Sequence, residues 1–139
     1  MEDSEAKKLI LNVEARSAEE LIKHQKGPGT RYIFSDDKNN PEGNIYTIVR
    51  LVDNVDRPRA HVEPHSHEFE SLNIFKGNNP DMTGLEAEIL LGDKWYPIKS
   101  PRAVRIPPGL NHTYRLIKGS GEYWNIVIAP GANYNKTVK

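Results

Sequence analysis

The chain of 139 residues contains no cysteine. Disulfide bonds and thiolate metal ligands are therefore excluded, and any bound metal must take nitrogen or oxygen donors. The chain also lacks an excess of charge of either sign, because 19 basic and 19 acidic residues cancel. Proteins that bind nucleic acid usually carry a basic patch or stripe, whereas the Lys and Arg residues here are scattered among carboxylates. No nucleic-acid partner is predicted.

Long apolar runs are missing as well. No stretch approaches the roughly 20 residues of a membrane span, and the segment Met1 to Glu5 lacks the basic and apolar regions of a secretion signal. The sequence therefore predicts no membrane association and a cytoplasmic location. Hydrophobic residues make up 37% of the chain. At this length one domain can bury roughly two thirds of its unfolded surface, and no second domain is needed.

From position 31 onward, short β-branched and aromatic runs alternate with loops rich in Gly, Pro, Asn and Asp. This pattern predicts roughly seven or eight strands in a β-sandwich or jelly-roll barrel. Ahead of it, Ser17 and Glu20 form a capping-box pattern, which predicts a helix through His24 that ends at Gly27. We divide the chain into an N-terminal strand and helix extension over 1–30, a barrel over 31–130 and a C-terminal tail over 131–139, which we expect to be loose.

Three of the five histidines lie at spacings typical of a metal site. Side chains on a strand alternate between faces, so His65 and His67 project the same way and can share a cation. A tight turn around Pro107 and Gly109 directly precedes His112 and is suited to deliver a third imidazole. Two histidines spaced in this way also occur on the exposed face of a strand. The prediction of a metal site therefore depends on the segment from Pro107 to His112 as well.

The two motifs are a His-x-His segment that ends in glycine, over 65–77, and a Pro-x-Gly-x2-His segment, over 107–112. Together they resemble the signature motifs of the cupin superfamily, in particular those of small single-domain bacterial cupins. The resemblance implies an all-β fold, the cupin-type double-stranded β-helix or jelly-roll barrel, here with a short N-terminal helical segment. It also implies a divalent first-row metal such as iron, zinc, nickel or manganese, which imidazole ligands suit.

The sequence departs from the family pattern at Ser71, which occupies the place of the family's metal-binding glutamate. One alternative is a site of three histidines with an open position near Ser71. A second is a β-bulge that shifts the strand by one residue and turns Glu70 inward as a fourth ligand. A third is a cupin that keeps the barrel but binds no metal, with the histidines as polar residues of its pocket.

Further residues are predicted to line the site. If the histidine strand is regular, Ser71, Asn73 and Phe75 face inward with the ligands and are candidate substrate-binding residues. Tyr114 shares one side of its strand with His112 and is a candidate catalytic residue, acting as a proton donor. A half-buried aromatic with its hydroxyl at the barrel mouth would give the same pattern.

The preferred function is a metal-dependent enzyme that acts on a small oxygenated organic molecule, because open coordination positions favour chelation of enolate, carboxylate or 1,2-dioxygenated groups. By resemblance the reaction is that of a dioxygenase, isomerase, lyase or cyclase. The alternative is a non-catalytic cupin that binds a small molecule or metal, which the loss of the family glutamate favours. Leu72 and Ile74 face outward and need a cover, so we expect a homodimer, partly by analogy with cupins.

Overall fold

The computed structural model describes residues 1–15, 30–56, 58–60 and 63–139. Within these ranges one helix, α1 (Asp3–Lys7), precedes the strands. The strands are β1 (Glu14–Ala15), β2 (Thr30–Ser35), β3 (Ile45–Val55), β4 (Arg59–Ala60), β5 (Ser71–Gly77), β6 (Leu85–Leu91), β7 (Lys94–Lys99), β8 (Arg102–Ile106) and β9 (His112–Ile128). Two short 3-10 turns follow, Pro130–Ala132 and Asn135–Thr137. The helix predicted from Ser17 to His24 lies outside the described residues.

The strands form a nine-stranded antiparallel sheet with the order β1-β2-β3-β9-β5-β8. Strand β9 also pairs with β4 and β6, and β7 pairs with β6, so two groups of strands share β9. The predicted all-β class and jelly-roll barrel are confirmed. None of the helices in the described ranges is long and apolar enough to cross a membrane.

Strand β9 joins the two groups because its halves have different neighbours. Positions 112–119 pair with β6, and positions 119–128 pair with β3. The Gly-Ser-Gly segment over 119–121 predicts a turn between two strands, whereas the structure shows one continuous strand. Gly119 has a φ of 101°, and a Cβ atom there would lie 2.0 Å from the carbonyl oxygen of Gly84. Glycine therefore lets β9 pass the start of β6 without interruption.

Burial alternates along the strands, as the period of two requires. In β5 the side chains of Ser71, Asn73 and Phe75 are buried, whereas Leu72 is exposed. This confirms the predicted inward and outward faces of the strand. The core between the strands is aliphatic and aromatic. Its largest fully buried hydrophobic side chains are those of Tyr46, Ile48, Phe75, Leu85, Ile89, Ile106, Leu116 and Val127.

The C-terminal residues 131–139 differ from the loose tail that the sequence suggested. The side chains of Tyr134 and Thr137 are buried, at 3% and 1% exposure. The backbone N–H of Glu68 donates to the carbonyl of Thr137 at 2.8 Å, and the N–H of Lys139 donates to the carbonyl of Ser66 at 2.9 Å. Backbone hydrogen bonds and two buried side chains thus hold the segment beside the His-x-His motif. The sequence of the segment has no hydrophobic periodicity from which this packing could be predicted.

Candidate metal centre

The three predicted histidines meet at one place in the barrel. His65 and His67 precede β5, and His112 is the first residue of β9. The N–H of His65 donates to the carbonyl of His112 at 3.0 Å, and the N–H of His112 donates back to the carbonyl of His65 at 2.8 Å. This backbone bridge holds the two imidazoles side by side. All three side chains are buried, with exposures of 6%, 2% and 4% in chain order.

The Pro-Pro-Gly turn before His112 ties the two motifs together. Gly109 has a φ of 81°, in the left-handed region that glycine tolerates. Its N–H donates to the carbonyl of His67 at 2.8 Å. The turn therefore links the His-x-His segment to the start of β9, which is consistent with the role predicted for it.

The rings are oriented by hydrogen bonds to the backbone. Nδ1 of His65 donates to the carbonyl of Glu63 at 2.7 Å, and Nδ1 of His112 donates to the carbonyl of Leu110 at 2.9 Å. With the protons of His65 and His112 placed on Nδ1 by these bonds, the Nε2 atoms of both rings carry lone pairs and act as acceptors, which is the tautomer of metal-binding histidines. One nitrogen from each of the three rings lies within 4.8 Å of the others.

The electrostatics of the cluster favour a neutral ring at His112. Burial lowers the pKa of His112 to about 4; the hydrogen bond to the Leu110 carbonyl opposes this shift, and the nearby His65 adds to it. His112 is therefore neutral at pH 7 and keeps the lone pair that a metal requires. Three neutral imidazole donors suit a first-row divalent ion. The residues present thus fit the kind of metal that the motifs imply.

Tyr134 is a member of this site that the sequence did not reveal. Its hydroxyl lies 3.1 Å from Nε2 of His65 and 3.3 Å from Nε2 of His67. Since Nδ1 of His65 carries its proton, the hydroxyl donates to Nε2 of His65. Burial raises the pKa of Tyr134, so the phenol stays protonated at neutral pH. Tyr134 brings an oxygen atom to the cluster from the C-terminal segment, far from both motifs in sequence.

Glu70 is not brought to the cluster. Its carboxylate accepts a hydrogen bond from Nε of Arg105 on the neighbouring strand β8, and its side chain is 42% exposed. The structure therefore differs from the alternative in which a β-bulge turns Glu70 inward. In the structure Glu70 is not a fourth ligand beside the three histidines. The residue faces outward because β5 begins regularly at Ser71, with the inward and outward positions in their ordinary alternation.

The predicted pocket residues of β5 are all buried, but in different surroundings. Among the described residues the Oγ atom of Ser71, a side chain 2% exposed, has no hydrogen-bond partner. Asn73 instead donates to Oδ1 of Asn125 at 3.1 Å. Phe75 is fully buried, with its ring centroid 5.2 Å from that of Tyr123. These contacts account for the burial of Asn73 and Phe75, and the substrate-binding role of all three residues stays a prediction.

Tyr114 lies in the aromatic core. Its ring stacks on that of Tyr123 with centroids 3.8 Å apart, and Arg50 hydrogen-bonds to its hydroxyl. Burial raises the pKa of Tyr114, which Arg50 and Arg31 partly offset. A phenol with a raised pKa holds its proton firmly, and the proton-donor role of Tyr114 stays a prediction.

No family model matches the sequence, and a comparison with curated proteins finds no match. Solved structures do resemble the fold. Oxalate decarboxylase from Bacillus subtilis superposes with a TM-score of 0.57 at 12% identity, over 94% of this chain and 32% of that chain. A second structure of that enzyme, described by its Mn(II) centres, gives a TM-score of 0.57 at 14% identity over 92% and 30%. This chain therefore spans about a third of the enzyme's length.

A cupin superfamily protein from Desulfitobacterium hafniense is also similar, with a TM-score of 0.44 at 16% identity over 62% of this chain and 68% of that chain. At such identities a likeness concerns the fold alone. The jelly-roll barrel, the meeting of both histidine motifs inside it and the superposition on oxalate decarboxylase agree with one another. The chain therefore has the cupin-type jelly-roll fold.

Proposed function

We propose that the protein binds one divalent first-row metal ion through His65, His67 and His112 and uses it to act as an enzyme on a small oxygenated organic molecule. The observation that carries the proposal is the cluster itself, three buried imidazoles whose nitrogen atoms lie within 4.8 Å of one another. Burying a polar group costs free energy unless the group is hydrogen-bonded or coordinates a metal, and three histidines facing each other suit a shared cation.

The chemistry of such an ion, when bound, is to polarise an oxygen of the substrate and to stabilise negative charge that develops on it. The chain contributes the surroundings. The three histidines leave coordination positions for ligands other than protein, since Glu70 points to solvent and Ser71 is not a carboxylate. The likeness in fold to an enzyme described with Mn(II) centres supports a divalent metal here.

A cavity of about 340 Å³ borders on Tyr134, and it is large enough for a small molecule. It opens between the β2–β3 loop and the C-terminal segment, and its lining includes Ile33, Tyr46 and Tyr134. Tyr134 lines this cavity, and its hydroxyl also lies within hydrogen-bonding distance of two of the histidines. A volume of this size suits a metabolite rather than a polymer.

The second candidate is a non-catalytic cupin that binds a small molecule or metal. The substitution of serine for the family glutamate at position 71 favours it. Proton NMR of small oxygenated acids incubated with iron-, manganese- or zinc-loaded protein separates the two functions. An enzyme converts many equivalents of one of these acids, whereas a binding protein leaves them chemically unchanged.

The metal itself is testable first. Full-length protein purified without an affinity tag, stripped with a chelator and reconstituted in turn with iron, zinc, nickel and manganese, is expected to retain about one ion per chain for at least one of these metals. X-ray absorption should then show nitrogen donors at about 2.0 to 2.2 Å. Less than about 0.1 ion per chain with every one of the metals would contradict the proposal.

We further propose that a second copy of the chain covers the outer face of β3, β5 and β9. Ile45, Leu72 and Ile128 are 50%, 36% and 46% exposed there, and they form one apolar surface with Ile126. Glu70 and Arg105 lie at its rim. One acid beside one base is a self-complementary arrangement, which a two-fold interface between identical chains requires.

Sedimentation equilibrium is expected to show a dimer for the wild-type protein and a monomer for Leu72→Lys, because a buried ammonium group without a partner disfavours the interface. The matched control is Met82→Lys, at a residue 46% exposed on the loop between β5 and β6, which should stay dimeric. A wild-type protein that sediments as a monomer would refute this interface.

A further inference from the structure

A phenol oxygen lies beside the imidazole nitrogens of the cluster. The hydroxyl oxygen of Tyr134 is 3.1 Å from Nε2 of His65 and 3.3 Å from Nε2 of His67. The rings of His67 and Tyr134 meet edge to face, with their centroids 5.2 Å apart. Tyr134 is 3% exposed. Its oxygen is therefore a buried neighbour of two nitrogen atoms that are proposed to bind a metal.

The two distances are those of neighbouring ligands around one ion. Donor atoms that each lie about 2.1 Å from an ion are about 3.0 Å apart at a right angle and about 3.4 Å apart at a tetrahedral angle. Both distances from the hydroxyl oxygen of Tyr134 fall within this interval. Without a metal the phenol donates its one proton to one of the two nitrogens. A cation beside them can be shared by all three atoms.

Tyr134 is held in this position by its main chain and by its ring. The C-terminal segment is attached on either side of His67, through the carbonyl of Thr137 and the N–H of Lys139. The carbonyl of Tyr134 accepts hydrogen bonds from the N–H and the hydroxyl of Thr137, at 2.9 and 2.7 Å. The ring packs against that of Tyr46, with centroids 4.7 Å apart. The phenol oxygen is thus fixed beside the His-x-His segment.

The cluster itself has no anionic donor. In the described part of the chain it contains three imidazoles and no carboxylate. Ser71 is neutral, and Glu70 pairs with Arg105 outside the barrel. A divalent ion held by neutral rings alone would keep its full charge in a buried site, which costs free energy. A phenolate would offset part of that charge, and Tyr134 is positioned to supply it.

We propose that Tyr134 is the fourth protein ligand of the metal and binds it as a phenolate. On binding, the O–H bond breaks, the oxygen keeps the electron pair and bonds to the ion, and the proton goes to the solvent. A bound cation favours this ionisation, as it does for a coordinating thiol. An octahedral ion keeps further positions for a substrate oxygen. The inference rests on the proposed function, and it puts the anionic ligand on the C-terminal segment instead of at position 71.

The test detects the phenolate by its absorption. Tyrosinate absorbs at longer ultraviolet wavelengths than tyrosine, and zinc does not absorb there, so the difference spectrum of a zinc titration counts the phenols that ionise. Manganese, nickel or iron(II) replaces zinc if the wild-type protein retains that ion instead. The chain has six tyrosines, so variants must identify the one that responds.

Titrations at neutral pH compare the full-length wild-type protein with Tyr134→Phe and with the control Tyr123→Phe. Tyr123 is 4% exposed, and its ring stacks on that of Tyr114. The control therefore removes a hydroxyl from the same aromatic core. Phenylalanine at position 134 keeps the ring that packs against Tyr46, and circular dichroism establishes that both variants fold. The wild-type spectrum is informative in its own right, whether or not a variant folds.

About one tyrosinate is expected for each ion bound by the wild-type protein and by Tyr123→Phe, because a ligand must lose its proton to bind. No tyrosinate is expected for Tyr134→Phe. This variant should still bind the ion through the histidines, but at least about tenfold more weakly than the wild type. Tyr123→Phe should leave the affinity unchanged.

Three outcomes would contradict the proposal. Metal binding by the wild type without a tyrosinate signal would show that the phenol keeps its proton. Tighter binding by Tyr134→Phe would show that the hydroxyl occupies the site until the ion displaces it. An undiminished tyrosinate signal in Tyr134→Phe would assign the ionisation to another tyrosine.

The metal function and the Tyr134 ligand fail in different ways. A wild-type protein that retains none of the four metals refutes the proposed function, and the Tyr134 ligand with it. An ion that binds the wild type, is lost in His67→Ala and ionises no tyrosine supports the metal site and refutes the Tyr134 ligand alone.

Discussion

Replacing His67 with alanine is expected to weaken metal binding by at least about a hundredfold, because loss of an outer-shell partner alone typically costs 10–100-fold and His67 is proposed as a direct ligand. The side chain is 2% exposed, and its ring lies 4.7 Å from that of His65 and 4.9 Å from that of His112, measured between centroids. Competition titration with a chelating dye that reports free zinc or manganese measures the change.

The matched control is Glu70→Ala, three residues further along the chain. Because Glu70 pairs with Arg105 outside the barrel, its removal should leave metal affinity within about twofold of wild type. Circular dichroism and thermal unfolding establish that both variants fold. Equal weakening by the two substitutions would mean that Glu70 reaches the metal and that the alternation along β5 described above does not hold in solution.

The barrel and the histidine cluster could be predicted from sequence because local rules govern both. Alternation along a strand places His65 and His67 on one side, and the turn at Gly109 fixes the approach of His112. The same alternation assigned the inward and outward positions of β5. These inferences need only the neighbours along the chain and the family resemblance of the two motifs.

The residues that the sequence did not reveal depend on long-range placement. Tyr134 reaches the histidines because the chain turns back after β9 and lies beside the His-x-His segment. Nothing in the local sequence around Tyr134 sets that path. Similarly, β2 carries apolar residues on both of its faces, so alternation alone does not decide whether Arg31 points inward. The inward direction of Arg31 follows only from the pairing of β2 with β3, in which Arg31 lies opposite the buried Arg50.

The continuity of β9 illustrates a related limit. Gly119 and Gly121 are typical of a turn, and the sequence predicts one there. In the structure the glycines instead allow close approach of other backbones, since a Cβ atom at Gly121 would lie 2.1 Å from the carbonyl oxygen of Lys76. The reason for glycine at these positions lies in strands that are distant in sequence, so local turn propensity indicates the wrong local structure.

Replacing Ser71 with glutamate is expected to make the stability of the protein depend on metal. Ser71 is 2% exposed, and its Oγ atom has no hydrogen-bond partner among the described residues. A carboxylate there without a cation is a buried, uncompensated charge, which costs roughly 3–5 kcal/mol of folding free energy or else is protonated. By resemblance to cupins this is the position of the metal-binding glutamate, so a bound ion would supply the missing charge.

The comparison variant is Ser71→Gln. Glutamine has nearly the same size as glutamate, but its side chain is uncharged and is a weaker metal ligand. Unfolding by urea with and without zinc measures the free energy of each protein. Zinc should stabilise Ser71→Glu more than wild type, recovering most of the lost stability, and should leave most of the defect of Ser71→Gln in place, because a neutral amide offsets no charge on the ion. If zinc stabilises the two variants equally, position 71 does not face the metal. Serine then does not mark an open coordination position, and the site must be completed from another side, where Tyr134 already lies.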